Sequence, residues 1–201
     1  MFLGMSESTN VLVRPAVEIA PFQDGQHLHG AVEALLKLRR AEGLYPPQRD
    51  VEATPTAFTG WLLSEDALGR WVAIVDGQVA GHISITAPHP YLTEALAGMG
   101  QVSPAPHGIC EVSKFFVDPT VQGKGTGAQL FEAAFRFARR EGMQPALAVV
   151  STSLAARRFY DRHGMIETGS FQGIHGENFV FVDGVSDPSW GLEPAVGVLT
   201  A

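Results

Sequence analysis

Between a run rich in β-branched and aromatic residues at 109–117 and an amphipathic pattern that begins at Gly127, the chain sets three glycines at alternate positions: Gly123, Gly125 and Gly127. No other stretch constrains the fold as strongly, because this one demands a strand, a backbone-only loop and a helix in immediate succession. Without Cβ atoms the loop backbone can approach an anion closely, and the following helix aims its unpaired N–H groups at the same point. A diphosphate fits that environment. The dinucleotide fingerprint G-x-G-x-x-G fails on spacing, and a nucleotide P-loop needs glycine where Asp118 stands. Taken alone, three such glycines also fit a turn that merely starts a helix.

The helix after the loop is marked by Leu130, Phe131, Ala134, Phe135, Phe137 and Ala138, with Arg139 and Arg140 in its last turn and Gly142 as its stop. Upstream, Val11-Leu12-Val13-Arg14 reads as a short strand, and Ala31, Val32, Leu35, Leu36 and Leu38 recur at helical spacing. After the Pro46-Pro47 break, Ala57, Phe58, Trp61 and Leu62 predict a second helix. Residues 71–75 and 79–85 are strand-like runs around Asp76-Gly77, a pair that supplies the positive φ angles of a tight hairpin. Residues 88–108 carry many Pro and Gly and no sustained periodicity, which predicts a long loop bordering a substrate site. Downstream, Ala146-Leu147-Ala148-Val149-Val150 reads as a strand buried on both faces, and Ser151-Thr152-Ser153 offers capping hydroxyls to a helix over 154–163 that ends at Gly164. Two further strands are expected at 165–171 and 178–183, then a tail. Repeats, low-complexity blocks and a second domain are absent from this pattern.

With 201 residues, 45% of them hydrophobic and 17% charged, the chain can bury one substantial core. A net charge of -7 leaves no broad basic surface, which argues against nucleic acid as a partner and suits a cationic substrate. The single cysteine, Cys110, allows no internal disulfide; within a hydrophobic strand it reads as a packing residue rather than a nucleophile. The first residues have neither a basic n-region nor a long apolar run, so no signal peptide or membrane span is expected and the cytoplasm is the simplest location. No His/Cys/Asp/Glu spacing points to a metal site.

The segment Val117-Asp118-Pro119-Thr120-Val121-Gln122-Gly123-Lys124-Gly125-Thr126-Gly127 resembles motif A of the GNAT (Gcn5-related) N-acetyltransferases, V-x-P-x-x-[QR]-G-x-G-x-[GA]. Further on, Ser153-Leu154-Ala155-Ala156-Arg157-Arg158-Phe159-Tyr160-Asp161-Arg162-His163-Gly164-Met165 resembles motif B, N-x-x-A-x-x-x-Y-x-x-x-G-F. The resemblance covers residues 11–183, with 1–10 a flexible N-terminus and 184–201 a tail. It implies an α/β (α+β) GNAT fold: a mixed central β-sheet of about six to seven strands flanked by helices. Ser153 stands where the family has Asn, with one donor against the amide's two, and Met165 stands where it has Phe, which keeps the site apolar.

The activity implied is direct transfer of an acetyl group from acetyl-CoA, a co-substrate, to a primary amine through a tetrahedral intermediate. By the same resemblance Gln122, Gly123, Lys124, Gly125, Thr126, Gly127, Ser153 and Ala156 bind the coenzyme, and the strand ahead of the loop presents Phe116 and Val117 to the pantetheine, the Val117 N–H facing the oxyanion. Tyr160 takes the place of the general acid that meets the departing sulfur. Glu111 is the candidate base, placed six residues before Val117 and so on the same strand face by period-two geometry. His82, His89 and His107 are alternatives. The acceptor is expected to be an amine-bearing small molecule, peptide or protein, with no nucleic acid and no membrane involved, and a homodimer is left open. A non-catalytic acyl-CoA-binding sensor and a transferase for longer acyl chains share the same motifs.

Overall fold

The computed structural model describes residues 16–43, 45–46, 52–64, 67–174 and 176–184. The strand expected at 11–14 lies outside the described residues, as does the tail from 185. In chain order the elements are β1 (Val17–Pro21), α1 (Asp24–Glu42), α2 (Pro55–Leu63), β2 (Ala67–Val75), β3 (Gln78–Thr86), α3 (Pro90–Gly98), β4 (Ile109–Val117), a 3-10 turn (Pro119–Val121), α4 (Thr126–Arg140), β5 (Gln144–Val150), α5 (Leu154–Arg162), β6 (Met165–Gly173) and β7 (Gly176–Asp183). The strands form one mixed sheet in the order β1-β2-β3-β4-β5-β7-β6.

Local chemistry sets this order. Asp76 and Gly77 both take positive φ, 51° and 76°, as a two-residue turn matched to the twist of β2 and β3 requires. Only β4 and β5 run parallel, and α4 makes the crossover between them. Leu130, Phe131, Ala134, Phe135 and Ala138 of α4 are buried against Ile83, Ile85, Val112 and Val117 on one face of the sheet, joined by Tyr160 of α5. On the other face α1 and α2 bury Leu35, Leu38, Phe58 and Leu62 with Phe116.

Residues 88–108 are not one long loop. Pro90 occupies the first turn of α3, where its missing N–H costs nothing, and Leu92 and Leu96, one turn apart, are 0% and 1% exposed against Ala146, Val180 and Val182. The Pro and Gly residues bracket this helix instead of preventing it. Two other expectations are also corrected. Gln144–Leu147 are buried, but the last three residues of β5 are only half-buried, because β4 has left their side. Ser153 is the N-cap of α5 yet makes no capping hydrogen bond to it.

Candidate active site

The glycine loop is shaped by its side chains and lined by its backbone. Gly123 and Gly125 have φ of 73° and 92°, a region that other residues enter only with strain. No neighbouring group comes within 4 Å of the place a Cβ would occupy at either one, so the loop faces open space. Gly125 is the N-cap of α4 and supplies no side-chain cap, which leaves the first N–H groups of the helix directed into that space. Gln122 Nε2 donates to Val117 O at 3.1 Å and to Glu42 Oε1 at 3.3 Å, Lys124 Nζ to Thr120 O at 2.9 Å, and the buried Thr126 hydroxyl to Val121 O at 3.4 Å. At Gly127 a Cβ would lie 3.5 Å from Phe115 and Val117 and 3.6 Å from Phe159, so the helix start sits close on β4 and α5.

Asp118 fixes the loop's entry. It is 3% exposed, caps the 3-10 turn through Thr120 and pairs with Lys37 Nζ at 2.8 Å. Burial alone would raise its carboxyl pKa. The hydrogen bonds from Lys37 and Thr120 outweigh that effect and hold it below its ordinary value.

Next to the loop the sheet opens. β4 pairs with β5 only over Ile109, Cys110 and Glu111, opposite Gln144, Pro145 and Ala146. Beyond that point the two strands part into a fork. Val117 pairs with Gly81 on β3, and Asp118 N–H donates to Ala80 O at 2.8 Å. That pattern identifies a non-hydrogen-bonded pair, so the Val117 N–H points away from β3 and into the fork. Phe116, one residue earlier, turns its backbone toward β3 and its side chain into the α1/α2 core, 3% exposed.

The expectation that Glu111 and Val117 share a face is overturned. Between the pairs Ser84↔Ser113 and His82↔Phe116, β4 has one residue more than β3, and Lys114 absorbs it with a φ of 50°. The extra residue inverts the alternation. Val117 therefore packs toward α4, whereas Glu111, opposite Thr86, belongs to the face that holds α1, α2 and α3. Lys114 itself is buried, its Nζ 3.3 Å from Ser64 Oγ and 5.7 Å from the Trp61 ring centre.

Glu111 has a side chain only 5% exposed and accepts from three donors: His89 N–H at 2.8 Å, His89 Nδ1 at 3.0 Å and the Tyr91 hydroxyl at 2.5 Å. His89 stacks on Tyr91, and Tyr91 on Phe171 of β6. Tyr91 is absent from the sequence-based expectations and His89 was only an alternative; Leu92 and Leu96 at helical spacing after Pro90 carried the signal that this segment is ordered.

Tyr160 lies on the opposite face, packed against Phe131, Phe159 and Phe181 and 9% exposed. Burial raises its hydroxyl above the ordinary value, so it stays protonated at neutral pH. Ser153 is the N-cap of the same helix and Ala156 lies in its first turn. His82 is fully buried between Phe22 and Phe116, Nδ1 on Lys114 O at 2.9 Å, and burial lowers its pKa to about 4. It is a structural strut of the bulge. His107 lies remote from this group, bonded to Glu141 O. Cys110 is fully buried, and burial pushes its thiol up to about 12, which fits packing and not nucleophilic chemistry. Among the described residues no cluster of three or more His, Cys, Asp or Glu gathers to hold a metal, and no helix is long and apolar enough to cross a membrane.

Comparison with known proteins gives a concordant result. A family model described as "Acetyltransferase (GNAT) family" matches residues 32–165. A protein of Archaeoglobus fulgidus named as an uncharacterized N-acetyltransferase is 32% identical over 117 residues, 58% of this chain and 69% of its own. Among solved structures, an acetyltransferase of the GNAT family from Streptococcus pneumoniae superposes with a TM-score of 0.60 at 18% identity, covering 83% of this chain and 98% of its own. Arabidopsis thaliana NAA60, solved in complex with acetyl-CoA, gives a TM-score of 0.60 at 14% identity over 83% of this chain and 97% of its own. At those identities the two structures speak for the fold.

Proposed function

The chain belongs to the GNAT acetyltransferase family, and from that premise we propose that it transfers an acetyl group from acetyl-CoA directly to a primary amine. The observation that carries this reading is the fork between β4 and β5, which opens directly above the glycine loop with the Val117 N–H pointing into it. In the proposed complex the pyrophosphate lies on the backbone of residues 122–127 and the N-terminus of α4, and the pantetheine follows the fork past Val117, Ser153 and Ala156. Phe116 contributes by holding β4 against α1 and α2.

The fork also explains how groups on opposite faces of a sheet serve one reaction. The acceptor enters from the α1/α2/α3 face, where the hydrogen-bonded group built on Glu111 takes up its proton. Its nitrogen then attacks the thioester carbon. The developing oxyanion is met by the Val117 N–H, a contact type worth about 3 kcal/mol in acyl transfer. Collapse breaks the C–S bond, and the protonated Tyr160, on the α4/α5 face, donates its proton to the departing sulfur. The new amide nitrogen sheds its remaining extra proton to solvent, and Tyr160 regains one from solvent. No covalent enzyme intermediate is formed, in keeping with the inert Cys110. The acidic chain favours a cationic acceptor, and its single cysteine requires no oxidising compartment, so we place the reaction in the cytoplasm.

The test is incubation with acetyl-CoA and a panel of primary amines, followed by mass spectrometry. The proposal expects an acetylated amine together with free coenzyme A. Tight binding of acetyl-CoA without consumption by any amine or peptide in the panel would instead identify a sensor.

A further inference from the structure

Glu111 is poorly placed to take a proton from a substrate itself. Its side chain is 5% exposed, and both its oxygens already accept hydrogen bonds, Oε2 from the backbone and ring of His89 and Oε1 from Tyr91. The group it holds is better placed. The His89 side chain is 37% exposed, sits immediately before Pro90 as the N-cap of α3 and is stacked on Tyr91 with ring centres 5.4 Å apart. An ionised carboxylate only accepts hydrogen bonds, so its contact with Nδ1 makes that nitrogen the donor and assigns the basic lone pair to Nε2.

We propose that His89 is the base of the reaction and that Glu111 is its positioning residue. This assignment rests on the transferase reading given above and deepens it. Glu111 is the last residue of β4 paired with β5, so the dyad stands at the base of the fork, on the face from which the acceptor enters. In the proposed step an N–H bond of the substrate ammonium breaks, the proton bonds to His89 Nε2, and the freed electron pair forms the C–N bond to the thioester carbon as the C=O π pair moves onto oxygen. The imidazolium is balanced by the Glu111 carboxylate and returns its proton to solvent. Among the described residues, Glu111 from β4 and Tyr91 from α3 are titratable groups in contact with His89, and β6 contributes the uncharged Phe171 through Tyr91.

The experiment measures kcat/KM against pH for wild type, His89→Gln and Glu111→Gln with one amine from the panel, and acetyl-CoA affinity for each by calorimetry. The dyad predicts a loss of roughly 100-fold or more in His89→Gln near neutral pH, with donor affinity unchanged and with partial recovery as rising pH delivers the free amine. Glu111→Gln should lose less, on the order of 10-fold, and keep the acid limb of the profile because the imidazole is still present. Were His89→Gln not to fold, that retained limb in Glu111→Gln would still separate the two assignments. A wild-type profile in His89→Gln, or loss of the acid limb in Glu111→Gln, overturns the dyad while leaving the transferase standing. A wild-type protein inert toward every amine overturns both.

Discussion

At the scale of single residues, the site separates positions that act through backbone from positions that act through side chains. In the proposed reaction Tyr160 is of the second kind. Tyr160→Phe deletes one hydroxyl and keeps the ring among Phe131, Phe159 and Phe181, so Tm and acetyl-CoA affinity should stay near wild type while kcat falls on the order of 10–1,000-fold. A lower Tm with full kcat per folded molecule would reduce Tyr160 to a packing residue. The positions of Tyr160 and the loop glycines were legible because the motifs fix their spacing. The side of the sheet that Glu111 occupies was not. Counting by twos along β4 fails at Lys114, where a charged, non-glycine residue takes a φ of 50° and nothing in the local composition announces a bulge. His89 could be named from the sequence only as an alternative, for a related reason: its contact with Glu111 joins residues 22 positions apart.

At the scale of elements, β4, α4 and the β2–β3 hairpin follow the sequence closely, because each has its own strong local signal in period, turn residues or caps. α3 does not. Its nine residues are bracketed by Pro and Gly, and only the Leu92/Leu96 pair betrays it. That pair is what docks α3 on β5 and β7, so Leu92→Ala should cost about 2–5 kcal/mol in chemical denaturation. A cost near zero would mean that α3 is not packed as described. The same anchoring holds His89 over Glu111, and the variant should therefore also lose acetyl transfer rate faster than it loses acetyl-CoA affinity, whose proposed contacts lie across the fork. β5 shows the converse case: its apolar run suggested two buried faces, and its half-exposed C-terminal end reflects the departure of β4, a long-range event.

At the scale of the whole molecule, the polar groups buried with the fork couple stability to pH. His82 stays neutral in the folded chain down to about 4 because burial outweighs its bond to Lys114 O, whereas an unfolded histidine takes a proton near 6.5. Between those values the unfolded state binds more protons, so stability falls as pH falls, by on the order of 3 kcal/mol from this group, and the contribution is complete above the unfolded value. As pH drops through that window wild type should lose stability relative to His82→Phe, by on the order of 3 kcal/mol, and a constant difference between the two would remove His82 from the account. The central claim concerns the space above the glycine loop, and calorimetry of acetyl-CoA with wild type and Gly125→Val tests it most directly. Gly125 has a φ of 92° and faces open space, so a valine there both strains the backbone and fills the place assigned to the pyrophosphate. The account predicts measurable binding to wild type and loss of roughly 100-fold or more in the folded variant, on the scale of a backbone anion site deprived of its N–H contacts. Unchanged affinity in a correctly folded Gly125→Val protein would contradict it.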